Sequence, residues 1–283
     1  MAKKFFKKFF PQILLFFLAA LFFLSAPKKE KTFKTALLNP KHSVQKIVLG
    51  DQSFGKISLE KAGSFWLGKK EFSDGKTVFF PCDSDAIKGL LSALKKISTV
   101  VEVSGSKSLS SYGLEKGGAF FLGLYGEGGE KEAVSIYFGS LDSRRRIFFF
   151  VPKRQKIFAM DSQPLAPYLS LDMNFWVSPE IFPKDIVGAD KKWRRGKMAL
   201  SPKGQALLAQ DFDWSGAKEK IFDAGDGNVF KALFLPAEEG DYYCLFLALP
   251  SAQRPQVEKE ALKKINSISL VSSWTFERLL LEE

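Results

Sequence analysis

Two glycine–lysine runs come within one residue of a phosphate-binding loop: Gly50, Gly55 and Lys56, then Gly63, Gly68 and Lys69. Such a loop holds phosphate oxygens on backbone amides and the lysine, and it needs Ser or Thr after that lysine and a helix behind it. Ile57 and Lys70 occupy those positions, and strand-like residues come next, so both runs read as hairpin turns. Gly123, Gly126, Gly128 and Gly129 would admit a ligand close to the backbone; a hairpin loop explains them as well. Carboxylates cluster at Asp83 and Asp85, Asp211 and Asp213, Asp223 and Asp226, and Glu238, Glu239 and Asp241. Close carboxylates perform acid–base work or hold a divalent ion. Each of these groups falls at a cap or turn, where acidic side chains belong in any case. The one histidine, His42, lies in a lysine-rich stretch without a core to orient it, which removes nucleophile–imidazole chemistry. No catalytic residue, cofactor site or metal ligand is assigned.

Binding chemistry has more candidates. Arg144, Arg145 and Arg146 precede Ile147-Phe148-Phe149-Phe150-Val151, and Lys192, Arg194, Arg195 and Lys197 surround Trp193. Both groups suit acidic headgroups or an acidic partner, and both also suit a basic turn on a solvated face. A strand apolar on both sides, as Phe148 to Phe150 would make, is covered on both faces, either centrally in a core or at a partner interface. Cys82 and Cys244 form a disulfide in an oxidising compartment or stay as buried thiols; the sequence leaves both open.

The chain has 283 residues, 26% charged and 46% hydrophobic, enough apolar side chain to fold. Its formal charge of +11 is concentrated at the start, where residues 1–34 hold eight lysines and one glutamate. The excess left for the remainder is too small for a phosphate-tracking stripe, so nucleic acid is not an expected partner. Residues 1–8 form a basic start, read as cytoplasmic. Residues 9–26 are uncharged and rich in Leu and Phe. At the helical rise they span roughly 27 Å, the hydrocarbon thickness of a bilayer. Leu24-Ser25-Ala26-Pro27 is a poor cleavage site, so the segment reads as a single-pass anchor that is retained. The chain beyond residue 26 is then exported, which places the main domain outside the cytoplasm of a bacterial inner membrane.

Residues 27–43 read as a lysine-rich tether. Short alternating segments at 47–49, 56–59, 65–67 and 77–80 predict an antiparallel meander. Ile87, Leu90, Leu91, Leu94 and Ile97 predict a helix capped by Asp83 or Ser84. A second run of strands occupies 120–125, 134–138, 147–151 and 157–160. Four prolines between 161 and 183 predict an irregular connection. Beyond it come a hairpin at 229–235 and 242–249, a helix at 256–265 burying Val257, Ala261, Leu262 and Ile265, and a last strand at 268–281. The fold class expected is α+β: an N-terminal transmembrane helix, then antiparallel meanders each packed with a single helix, in two subdomains at 44–176 and 177–283.

Thr35-Ala36-Leu37-Leu38-Asn39-Pro40, Lys46 to Leu49, Lys56 to Lys61, Trp66, Leu90-Leu91-Ser92-Ala93-Leu94 and Ser111-Tyr112-Gly113-Leu114-Glu115 together resemble the uncharacterised DUF4340 family over roughly residues 35–176. Lys116-Gly117 stand where that family often has proline, and residues after 183 are unmatched. The resemblance implies a membrane-anchored extracytoplasmic protein, often encoded beside permease and auxiliary subunits of ABC-2 type or gliding-associated transporters. It brings no catalytic residues. The function expected is therefore a non-catalytic interaction subunit of an ABC-type transporter or envelope complex. The alternatives are a carboxylate-dependent cell-envelope hydrolase and a solute-binding module for a permease.

Overall fold

Period-two alternation dominates the chain, and it folds into mixed α+β with two antiparallel sheets. The computed structural model describes residues 31–281, apart from 52–54, 104–107, 116, 128–131, 189–192, 203, 206 and 225–226. The expected anchor at 9–26 lies outside the described residues, as do Gly128, Gly129, Lys192 and Asp226. No helix among the described residues is long and apolar enough to cross a membrane.

The large sheet contains β1 (Lys31–Thr35), β2 (Lys46–Asp51), β3 (Gly55–Ala62), β4 (Phe65–Glu71), β5 (Thr77–Pro81), β6 (Ser98–Val103), β7 (Phe120–Tyr125), β8 (Glu132–Leu141), β9 (Arg146–Val151) and β10 (Lys156–Asp161). Their spatial order is β1-β6-β10-β9-β8-β7-β2-β3-β4-β5. Two meanders, β2 to β5 and β7 to β10, are thus joined by antiparallel pairing of their first strands. The segment after each meander crosses to the far edge of the other. β6 pairs with β10, while Val177 bridges Cys82 and the Ser178 amide donates to the Pro81 carbonyl beside β5. The expected boundary at 176/177 therefore falls within a segment still fastened to the large sheet.

Helix α1 (Ser84–Lys95) covers one face, capped by the Asp83 carboxylate, which accepts from the Asp85 and Ala86 amides. Its Ile87, Leu90 and Leu94 are fully buried, each worth roughly 2 kcal/mol. They meet Ile47, Leu49, Ile57, Leu59, Leu122, Ile136 and Phe149. Ile97 departs from expectation: the helix ends at Lys95, and Ile97 is 67% exposed.

The expected tether at 27–43 is corrected from residue 31 onward. Lys31–Thr35 form the edge strand β1 on β6, Leu38 is fully buried, and its amide donates to the Leu94 carbonyl at 3.0 Å. Lysines on an edge strand hide its β character from a reading based on apolar runs.

Residues 161–183 form turns and the short helix α2 (Met173–Trp176), and α3 (Lys184–Val187) lies just beyond. The smaller sheet, in order β11 (Lys218–Asp223), β12 (Val229–Pro236), β13 (Tyr242–Leu249), β14 (Ile268–Val271), packs against α3, α4 (Gln256–Lys264) and α5 (Ser273–Leu281). The expected last strand thus stops at Val271 and gives way to a helix, because Phe276 and Leu279 at helical spacing both reach the core. In α4, Val257 is 52% exposed and Glu258 takes the buried position instead. The two sheets interlock at β5, whose free edge Asn266 caps. Its Oδ1 accepts from the Phe79 amide at 2.8 Å and its Nδ2 donates to the Thr77 carbonyl at 3.1 Å.

Candidate functional site

Alternation in the first meander sends one set of side chains to the core and leaves the other set on an open face. In β3, Ile57 and Leu59 are fully buried while Lys56, Ser58 and Glu60 point the other way. Lys46 and Val48 of β2, Leu67, Lys69 and Glu71 of β4, Phe79 of β5, and Phe121 and Tyr125 of β7 share that face. Helix α4 walls it with Val257, Glu260, Ala261 and Lys264. The result is a groove of about 890 Å³ with an apolar floor and charged rims.

Some of the rim charge is internally matched. Lys46 lies 3.7 Å from Glu60 and Lys69 lies 2.5 Å from Glu71. The Lys69 hydrogen bond holds the Glu71 carboxyl below its ordinary range. Glu260 accepts from Gln256 Nε2 at 2.9 Å. Lys61 and Lys264 have no carboxylate partner among the described residues, so the groove presents uncompensated positive charge over apolar surface.

The residues singled out from the sequence are scattered elsewhere. Asp142 organises the arginine turn: its carboxylate accepts from the amides of Arg144 and Arg146 and from Arg146 Nε at 2.8 Å. Arg144 and Arg145 are exposed, and Arg145 adopts φ 60°. Burial raises the Asp142 pKa, but the amide and guanidinium of Arg146 and the amide of Arg144 outweigh it and hold the carboxyl low. A carboxyl depressed in the folded state stabilises above its unfolded pKa of about 3.9, and that stability is lost as pH falls through the folded value. Melting temperatures should thus fall on acidification below about pH 4, and less steeply in Asp142→Asn; parallel slopes for the two proteins would contradict this.

The phenylalanine run divides between the two faces of β9, with Phe149 buried in the core and Phe148 and Phe150 half-buried. Phe149 joins the face under α1, while Phe148 and Phe150 pack with Tyr112, Leu114 and Ile157 on the other face. Tyr112 meets Phe148 edge-on at 4.8 Å. The Tyr112-Gly113-Leu114 turn is therefore a structural plug.

Around Trp193, the amide of Ile181 donates to the Trp193 carbonyl and that of Arg195 to the Pro179 carbonyl. Alternation then turns Trp193 onto Phe182 at 5.6 Å, leaves Arg194 exposed and sends Arg195 inward. Arg195 donates to the carbonyls of Ser178, Val177 and Gly196, and burial lowers its pKa to about 10 despite Asp172 and Asp83. It is a staple for the segment that borders β5 and is not available as an interaction residue.

Cys82 and Cys244 are both free and buried, and they belong to different apolar clusters, which corrects the disulfide alternative. Burial raises both thiols far above the ordinary range. Unreduced protein should yield two alkylatable thiols in denaturant and almost none when folded; one blocked pair by mass spectrometry would contradict that.

The carboxylate groups also separate into local tasks. Asp83 caps α1, Asp85 pairs with Lys88, Asp211 pairs with Lys76 at 2.7 Å, and Asp213 accepts from the Ser215 amide. Among the described residues no three His, Cys, Asp or Glu side chains gather as metal ligands. The groove itself is not legible in the sequence. Its lysines and glutamates alternate with core residues, a signal for strands, and only the arrival of α4 from the far end of the chain makes a wall. Searches against family models, curated proteins and solved structures find no match.

Proposed function

We propose that this chain is a non-catalytic, membrane-anchored extracytoplasmic protein serving as an accessory subunit of an ABC-type transporter or another envelope complex. Residues 9–26 would hold it in the inner membrane, with its amino terminus cytoplasmic. The groove is the surface that takes the partner. The observation that carries this reading is its form: an open trough with an apolar floor, flanked by strand-borne charges and lined by Lys61 and Lys264. An extended segment carrying carboxylates satisfies both features, burying its apolar side chains and pairing with the two lysines. A small solute would leave most of an open trough in water.

Copurification of the full chain in mild detergent should recover permease or auxiliary subunits. Lys61→Glu combined with Lys264→Glu should cut that recovery by about tenfold or more, with the melting temperature unchanged because both side chains are exposed. Recovery of the wild-type chain alone would overturn the assignment.

A further inference from the structure

We propose that the end of the large sheet where β1 begins rests on the bilayer, with Lys31, Lys153 and Arg154 on anionic phospholipid headgroups. The proposal depends on the reading of residues 9–26 as a retained anchor. Lys31 pairs with Glu102, Glu102 with Phe158, and Phe158 with Phe149. The first described residue is therefore level with the strand ends that flank the β9–β10 turn at Pro152–Arg154. Only four residues separate Ala26 from Lys31, so the five Cα–Cα steps between them reach at most roughly 17 Å. The anchor must hold this end near the membrane surface.

That end is cationic. Lys31, Lys153, Arg154 and Lys156 are all exposed. Glu102 accepts from Lys156 at 2.8 Å, and among the described residues neither Lys31 nor Arg154 has a carboxylate within ion-pair distance, which leaves positive charge within the short range where anionic leaflets attract basic side chains. Beside the cations is an apolar recess of about 170 Å³ whose lining includes Val100, Ile136, Phe149 and Phe158, the 35–37 segment at the end of β1, and Lys153 and Arg154. The Arg154 guanidinium lies 5.9 Å from the centre of the Phe158 ring. A headgroup anion with an attached apolar chain matches both parts. Arg144 and Arg145, the arginines that stand out in the sequence, lie at the opposite end of β9, some six residues or roughly 20 Å away.

The test uses the full chain in phosphatidylcholine vesicles with and without phosphatidylglycerol, carrying a fluorophore at Gln155→Cys or Ser143→Cys. The native thiols are buried and stay unlabelled while the protein is folded. Headgroup nitroxide should quench position 155 about threefold more than position 143, or better, when anionic lipid is present. Lys153→Glu with Arg154→Glu should reduce that quenching to its value in phosphatidylcholine alone. Equal or stronger quenching at 143 overturns the orientation, and quenching at 155 that ignores both anionic lipid and charge reversal overturns headgroup recognition. If the wild-type chain fails to float with vesicles, the anchor reading fails and this proposal falls with it.

Discussion

Glu258→Ala should destabilise the protein by about 3–5 kcal/mol, among the largest effects available to a single substitution outside a disulfide or metal site. Glu258 sits on α4 with its side chain 8% exposed, and Arg254, at 12%, lies 3.6 Å away. Its Oε1 accepts from the Ser64 amide in the β3–β4 turn at 2.8 Å. Arg254 also donates to the Ile186 carbonyl at 2.7 Å and stacks over Phe230. Removing the carboxylate strands a buried guanidinium and a backbone donor together, at the point where the two sheets meet. The pair is nevertheless imperfect, since Arg254 Nη1 is buried without a hydrogen-bond partner. Hence Arg254→Met with Glu258→Leu should recover most of the loss, as apolar replacements of buried ion pairs often do. Chemical denaturation of the two singles and the double measures this directly. A double variant no more stable than Glu258→Ala would show that the carboxylate acts mainly through Ser64.

Gly139→Ala should cost about 3 kcal/mol, a fall in melting temperature of roughly 10 °C. A methyl group at Gly139 would fall far inside contact distance of the Tyr112 carbonyl oxygen. That atom is backbone, so no side chain can rotate aside. Gly113 faces the same contact from the other direction, with φ +66° and the Ser140 amide nitrogen 2.9 Å from its added carbon. The Tyr112-Gly113-Leu114 plug and β8 thus touch backbone to backbone, and lifting the plug exposes Phe148 and Phe150. Dye binding to exposed apolar surface should rise in parallel. Gly118→Ala is the control: its nearest neighbour would be 3.8 Å away and a change below about 0.5 kcal/mol is expected. Equal melting temperatures for Gly139→Ala and wild type would refute the seating of the plug.

The same plug shows how family-like residues are legible without their role. Tyr-Gly-Leu before a strand is noticeable in the sequence, but its partner is the Gly139-Ser140 pair, which carries no pattern of its own. Helix α1 is readable because its stripe, its cap and its basic last turn agree. Strand β1 is not, since Lys31, Thr32, Phe33, Lys34 and Thr35 offer one apolar side chain in five. The arginine turn is plainly basic, yet which guanidinium is exposed depends on Asp142, four residues before Arg146. Arg195 misleads for a related reason: charge says nothing about direction, and the pairing of 179–181 with 193–195 turns it inward.

Period-two and period-three-to-four apolar spacing are local properties, and by themselves they determined that this chain is α+β, where most of its strands lie, and that α1 has one face to bury. Which strands become neighbours is a matter of long-range pairing. Only the tertiary structure decided that the two meanders join through β2 and β7, that the segment after each crosses to the other meander, and that α4 closes a groove over the first. Those outcomes depend on contacts between residues far apart in the chain, such as Ser64 with Glu258 or Phe79 with Asn266, whose energies no window of sequence contains.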